Sequence, residues 1–348
     1  MPDYLPDPDS SPRILITRLS AIGDCVHTLP LVTALRARFP RALIAWATQP
    51  GGASLIEGTN GLDHVIVVQR NWLKKFSSIA AMRRQLRSYQ FDTVVDPQSL
   101  TKSSLLGWLS GARDRIGFAT GQGRELAPWL NTIRVAPQCD HVVDRYLELL
   151  RPLGISDPRV EFRVPQDKVA ASSIQRFLHG TELTDFALLN PGAGWNSKLW
   201  PHERYAAVAR QLRDHCGTRS VVLWAGTQER TWAQEIVGLS QGAAVLAPET
   251  NLKELSELCR RANIFVGSDT GPMHLAAAVG TRCVALFGPT RPEICGPYGS
   301  RHTTIQKWYQ DGTSSERRGD DNSAMQAIEV ESVVEACEGI LRSRNKAA

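Results

Sequence analysis

Two series of short apolar, β-rich runs, separated by helical stretches, constrain this chain more than any other feature. The first series is RILIT (13–17), ALIAWA (42–47), HVIVV (64–68), DTVVD (92–96) and RIGF (115–118). The second is FALLN (186–190), RSVVLWAG (219–226), AAVLA (243–247), NIFVGS (263–268) and CVALFG (283–288). Strands that are apolar throughout and alternate with helices belong in parallel sheets covered on both faces. The chain therefore reads as α/β, with two doubly wound domains of similar size and a cleft between the carboxyl ends of their sheets. Its 348 residues suit about two domains. The expected division is a disordered leader (1–12), a first domain (13–165), a second domain (166–325) and a C-terminal segment (326–348) carrying a helix over about 329–343. Pro30 should kink or restart the helix that ends near Arg38. PHERYAAVARQLRDHC (201–216) opens with a proline suited to a first helical turn, and 311–323 reads as a polar loop.

Composition excludes several classes. With 42% hydrophobic residues the chain is not a disordered polymer, and a net charge of +5 is too small to demand nucleic acid as partner. Seven scattered cysteines, without a CxxC, argue for reduced cytoplasmic thiols rather than a disulfide framework or a structural zinc site. The acidic, proline-rich start lacks the features of a signal peptide. No apolar run reaches the ~20 residues of a membrane span, so any membrane role is peripheral.

Three loops each leave a strand and open a helix. In RLSAIGDCVH (18–27), Gly23 permits close backbone approach. Asp24 reads either as a helix cap or as a carboxylate that takes a proton from a hydroxyl. In NPGAGWNSKLWP (190–201), Gly192 and Gly194 expose amides, Asn196 and Ser197 add polar contacts, and Lys198 brings a cation. That set suits a phosphate or diphosphate, without Walker A spacing; the bland alternative is an ordinary turn with a solvated lysine. In GSDTGPMHLAAAVG (267–280), Asp269 and Thr270 could cap a helix, Gly271 leaves the backbone accessible, and His274 is either an oxygen ligand or a structural residue. No HExxH or clustered acidic pair suggests a metal, and 13–24 lacks the GxGxxG of dinucleotide enzymes.

Residues 70–90 carry Arg70, Lys74, Lys75, Arg83, Arg84 and Arg87 and no acid. Trp72, Phe76, Ile79, Met82 and Leu86 recur at helical spacing. The stretch reads as a helix packed by that stripe, as a basic surface for anionic lipid or an acidic acceptor, or as both.

SAIGDCVHTLP, FDTVVDPQSLTKSS, NPGAGWNSKLWP and VGSDTGPMHLAAAVGTRCVALFGPTRPEICGPYG, in this order and spacing, resemble the lipopolysaccharide heptosyltransferases, glycosyltransferase family 9. The D-x-Q-x-L-x-K-S segment (96–103) is most similar to the heptosyltransferase I type. The resemblance implies a GT-B fold, two Rossmann-like domains facing across a cleft with the last helix returning to the first. It implies metal-independent, inverting transfer of heptose from ADP-heptose to the Kdo/lipid A inner core, with no cofactor. The enzyme would be cytoplasmic, with peripheral contact at the inner membrane. By position, Asp24 matches the base and Lys198 the lysine on the donor phosphates. Gly192, Asn196, Ser197, Asp269, Thr270, Gly271 and His274 match the donor-binding set, and Glu229 an acid on the adenosine ribose. Arg18, Ser20, Gly23, Gln98 and Lys102 fall on the acceptor side. The alternatives are a family 9 enzyme using another nucleotide-sugar or acceptor, and a non-catalytic nucleotide- or glycan-binding protein. The segment after 305, KWYQDGTSSERRGDDNSAM, departs from the family pattern.

Overall fold

The computed structural model describes residues 11–121 and 123–345, and the chain divides into two compact units, Met1–Pro165 and Gln166–Ala348. Most of the expected leader lies outside the described residues. Pro12 is already in place, its carbonyl accepting from Leu43 N–H at 3.0 Å.

The first unit holds a six-stranded parallel sheet of β1 (Arg13–Thr17), β2 (Leu43–Thr48), β3 (His64–Val67), β4 (Thr93–Asp96), β5 (Asp114–Phe118) and β6 (Ile133–Val135). The spatial order is β3-β2-β1-β4-β5-β6, the doubly wound arrangement. Strand β6 was not expected, because a three-residue, half-exposed edge strand leaves no apolar run to detect. Helix α1 (Ile22–Arg38) runs unbroken through Pro30, against expectation. A helix-interior proline costs about 3 kcal/mol. Cys25, Val26, Leu29, Leu31, Val32 and Leu35 are all fully buried, and each such side chain contributes about 1.5–3 kcal/mol. Burial wins.

The basic stretch splits into a 3-10 turn, Trp72–Lys74, and helix α2 (Phe76–Ser88). Trp72, Met82 and Leu86 pack against Leu15, Ile66 and Val94 as the stripe predicts, but Phe76 is 87% exposed. The extended Lys75 between turn and helix shifts the phase of the stripe and throws Phe76 outward. Helices α3 (Thr101–Ser110), α4 (Ala127–Leu130) and α5 (Val142–Glu148) complete the elements that matter below.

The second unit repeats the plan with β7 (Phe186–Asn190), β8 (Arg219–Val222), β9 (Ala244–Leu246), β10 (Ile264–Ser268), β11 (Cys283–Phe287) and β12 (Thr303–Gln306), in the order β12-β11-β10-β7-β8-β9. Strand β12, like β6, is a half-buried edge that periodicity missed. Its helices include α6 (His202–Cys216), α7 (Gly226–Leu239), α8 (Gly271–Ala278), α9 (Ser314–Gly319) and α10 (Val330–Asn345). Pro201 stands just before α6 rather than in its first turn. Gly217, at φ 64, closes that helix in the left-handed conformation that favours glycine. Part of the expected 311–323 loop is helical. Thr313 Oγ1 accepts from Glu316 N–H at 3.3 Å and Glu316 Oε2 accepts from Thr313 N–H at 2.7 Å, a capping box written in TSSE.

Val333, Val334, Cys337, Ile340 and Leu341 of α10 join Tyr205, Ala206, Val208 and Leu212 in the second unit's core, so the helix's apolar stripe is taken up there.

His302, just before β12, gives this unit a pH dependence. Its Nδ1 accepts from Cys283 N–H at 3.2 Å, and burial, with the charge of Arg301, pushes its pKa down to about 4. The folded state thus resists a proton that the unfolded chain takes near pH 6.5. Stability from this residue is complete above about pH 6.5 and is lost as pH falls toward the folded value. Melting of wild type and His302→Gln between pH 7 and 4.5 should show the flatter Tm profile in the variant; parallel profiles would remove His302 from the account.

Candidate functional site

In each sheet the winding reverses between two adjacent strands, so the loops leaving them part and open a crevice at the carboxyl ends. In the first sheet those strands are β1 and β4; in the second they are β7 and β10. The sequence-predicted residues gather at these two places.

In the first unit, Arg18 follows β1 and is buried. Its guanidinium pairs with the Asp24 carboxylate, donates to Pro97 O at 3.2 Å, and lies 5.3 Å from the centre of the Tyr146 ring of α5. Trp46 Nε1 donates to Arg18 O at 3.1 Å, and Leu19 N–H donates to Gln98 Oε1 at 2.7 Å, tying the β1 loop to the β4 loop. Asp24 is not the cap of α1; Ala21 is. Asp24 sits in the first turn, and its Oδ2 accepts from Ala21 N–H at 3.1 Å while also meeting Arg18. Among the described residues Oδ1 has no partner, and the side chain is 37% exposed. One oxygen anchors the carboxylate; the other is left unengaged among the described residues, and a proton could be taken there.

Ser20 is exposed in that loop, and Gly23 is buried in the first turn of α1. Lys102 is exposed on the first turn of α3 and takes no part in holding Asp24. Asp96, at the end of β4, is a scaffold. It accepts from Ser99 N–H at 2.9 Å and from Ser104 Oγ, and burial raises its carboxyl above the usual carboxylate range despite those bonds.

In the second unit, Lys198 lies on a 3-10 turn, Asn196–Lys198, in the loop that leaves β7. Its Nζ donates to Asp269 Oδ2 at 2.6 Å and to Asp269 O at 3.1 Å. His274 Nε2 meets Asp269 Oδ1 at 3.0 Å from within α8, and Cys295 Sγ donates to Asp269 Oδ2 at 3.5 Å. Burial opposes ionisation of Asp269, but the His274 hydrogen bond and the Lys198 charge overcome it and hold the carboxyl far below the usual range. Asp269 is not the helix cap; its carboxylate and carbonyl hold Lys198, and its carboxylate holds His274. Thr270 is the cap residue by backbone, but its Oγ1 donates to Ser268 O at 3.2 Å rather than capping, so the start of α8 at Gly271 keeps open amides.

The Glu229 carboxylate occupies the space beside Gly192. A Cβ on residue 192 would lie 2.3 Å from the Glu229 carboxyl carbon. Glu229, in the first turn of α7, accepts from Ala225 N–H at 2.8 Å, and burial lifts its carboxyl above its ordinary value against that bond. Ser197 is fully buried and donates to Arg317 O at 2.6 Å, a structural use rather than the expected ligand contact. Asn196 is exposed on the same turn.

Sequence reasoning missed Tyr146, Cys295 and Trp195. Tyr146 is more than a hundred residues from Arg18 and no local pattern links them. Trp195 was readable only as part of a quoted loop, yet Lys198 Nζ lies 4.4 Å from its ring centre. Among the described residues, no three His, Cys, Asp or Glu side chains gather as metal ligands.

Residues 79–323 match the model of glycosyltransferase family 9 (heptosyltransferase). Lipopolysaccharide heptosyltransferase 1 of Salmonella typhimurium is 28% identical over 299 residues, 82% of this chain and 92% of that protein. A glycosyl transferase family 9 structure from Veillonella parvula superposes with a TM-score of 0.81 at 23% identity, covering 96% of this chain and 98% of that one. The E. coli heptosyltransferase WaaC, solved with ADP, gives 0.76 at 24% identity, covering 94% and 99%. The two six-stranded parallel sheets are those of the GT-B fold class expected from the resemblance. The chain is an enzyme and belongs to glycosyltransferase family 9, the heptosyltransferase family.

Proposed function

We propose that this enzyme moves heptose from ADP-heptose to the Kdo/lipid A inner core of lipopolysaccharide, with inversion at the anomeric carbon. The observation that carries this reading is the Lys198–Asp269–His274 array beside the open start of α8. An oriented cation and unsatisfied amides are what a departing diphosphate needs. The acceptor hydroxyl oxygen forms a bond to the anomeric carbon as the bond from that carbon to the diphosphate oxygen breaks. ADP leaves with the electron pair. The hydroxyl proton passes to Asp24 Oδ1. Glu229 is suited to the adenosine ribose, and Gly192 leaves it the room. The relatives support the donor: one carries the name lipopolysaccharide heptosyltransferase 1, and another is solved with ADP.

The deciding assay supplies ADP-heptose and Kdo₂-lipid A and follows ADP release and heptosylated lipid together. The expected result is acceptor-dependent ADP release. Faster turnover with a UDP- or GDP-sugar, or donor binding without transfer, would replace this reading with one of its alternatives.

We also propose that the first unit meets its lipid acceptor at a membrane surface. No helix among the described residues is long and apolar enough to cross a bilayer. Phe76, Trp108, Leu126 and Trp129 are exposed on the consecutive helices α2, α3 and α4, or in the turn into the last of these, and Lys74, Lys75, Arg83 and Arg84 are exposed beside or on α2. Aromatic rings with cations suit an anionic headgroup layer. Each cation near such a surface contributes about 1 kcal/mol, so changing those four to Gln should weaken phosphatidylglycerol-vesicle binding by well over tenfold. Unchanged vesicle sedimentation would make the face merely solvated.

A further inference from the structure

Lys198 does not bring an uncompensated charge to a diphosphate. Its ammonium already lies 2.6 Å from the buried, ionised Asp269. A nucleoside diphosphate-sugar carries about two negative charges in the linkage, and the departing diphosphate gains more as the sugar bond breaks. A second cation is needed, and the segment that departs from the family pattern places one there. Arg318 of α9 has its guanidinium carbon 4.8 Å from the centre of the Trp195 ring, the same ring that has Lys198 Nζ at 4.4 Å.

The fold holds α9 at this position. The carbonyl of Arg317 accepts from Ser197 Oγ, which pins the helix to the turn that carries Lys198. The Arg317 guanidinium donates to Pro289 O at 2.5 Å and lies over the Tyr309 ring, so Arg317 is a peg. Arg318 differs: it is exposed, and among the described residues it takes part in no salt bridge. Its planar fork of donors can bind two phosphate oxygens at once, which an ammonium cannot.

We propose that Arg318 is a second diphosphate-binding residue, working with Lys198 beside the Trp195 ring that both contact to neutralise the charge on the leaving group. This rests on the donor being a nucleoside diphosphate-sugar, as in the proposed function. Whichever nucleotide it is, the contact is to phosphate.

The test measures binding of ADP, AMP and adenosine to the full chain by calorimetry, for wild type, Arg318→Ala and Arg318→Lys, with kcat and KM from diphosphate release. Arg318→Ala should weaken ADP by at least about tenfold, the scale of one charge-assisted hydrogen bond, and leave adenosine within about twofold. It should lower kcat as well as raise KM, because the charge grows in the transition state. Arg318→Lys should recover part of both. Unchanged ADP affinity, or equal losses for ADP and adenosine, would reduce Arg318 to packing on Trp195 and overturn the proposal. If wild type binds UDP or GDP instead of ADP, the donor assignment fails and the same comparison with that diphosphate decides Arg318 separately. If wild type binds no nucleoside diphosphate, both readings fall.

Discussion

Asp24→Asn should lower kcat by about 10²–10⁴-fold, the range for loss of a general base, and leave donor affinity nearly unchanged. The reason lies in how the carboxylate is held. Oδ2 is occupied by Ala21 N–H and the buried Arg18 guanidinium, so the orientation of the group is set before substrate arrives. Oδ1 is the oxygen left for chemistry. The amide retains the shape and an acceptor for the anchoring bonds but cannot take a proton. Removing a partner from a buried pair can cost about 3–5 kcal/mol. Here the cost should be nearer 1–2 kcal/mol, since Asp24 is partly exposed and Arg18 keeps its Pro97 carbonyl. Asp24→Ala also strands Ala21 N–H, adding about 1 kcal/mol typical of a lost helix-start bond. A modest fall in Tm with a collapse in kcat is therefore expected for both. If either variant retains more than about a tenth of wild-type kcat, Asp24 is an anchor for Arg18 and not the proton acceptor.

The strands were legible because burial on both faces leaves long apolar runs, as in FALLN and CVALF, and these became β7 and β11 residue for residue or nearly so. What escaped was decided by neighbours rather than by local pattern. IRV and TTIQ are strands because β5 and β11 offer them edges. Pro30 stays helical because of what buries it, and Phe76 turns outward because one extended lysine precedes it. At the site, residue types and loop positions were readable, but partnerships were not. Asp269 looked like a cap or a ligand, whereas three side chains from separate segments make it the hub of an ion-paired network. The TSSE capping box was readable and passed over, and with it the helix that carries Arg318.

A second large effect is expected at Lys198. Lys198→Ala should lower kcat by about 10²–10³-fold, as for loss of one preorganised group facing developing charge, and raise donor KM too, since the ammonium meets the diphosphate before and during bond breaking. The substitution also leaves Asp269 buried with His274 and Cys295 as its remaining side-chain partners. An acid whose folded pKa is depressed contributes stability above its unfolded value, near pH 4, and loses it as pH falls through the folded value. In wild type that loss is displaced to strong acid, because Lys198 and His274 outweigh burial. Without Lys198, burial regains ground and the folded-state carboxyl rises, so the folded state takes a proton more readily and less stability is lost as pH falls. Tm measured from pH 7.5 down to about 3 should accordingly fall less steeply with acid in Lys198→Ala than in wild type. In Asp269→Asn the acid is absent, and that contribution to the slope should vanish. Its kcat should fall less than that of Lys198→Ala, because the ammonium remains and only its orientation is loosened. Equal pH profiles in all three proteins, with donor KM unchanged in Lys198→Ala, would separate Lys198 from both the network and the leaving group.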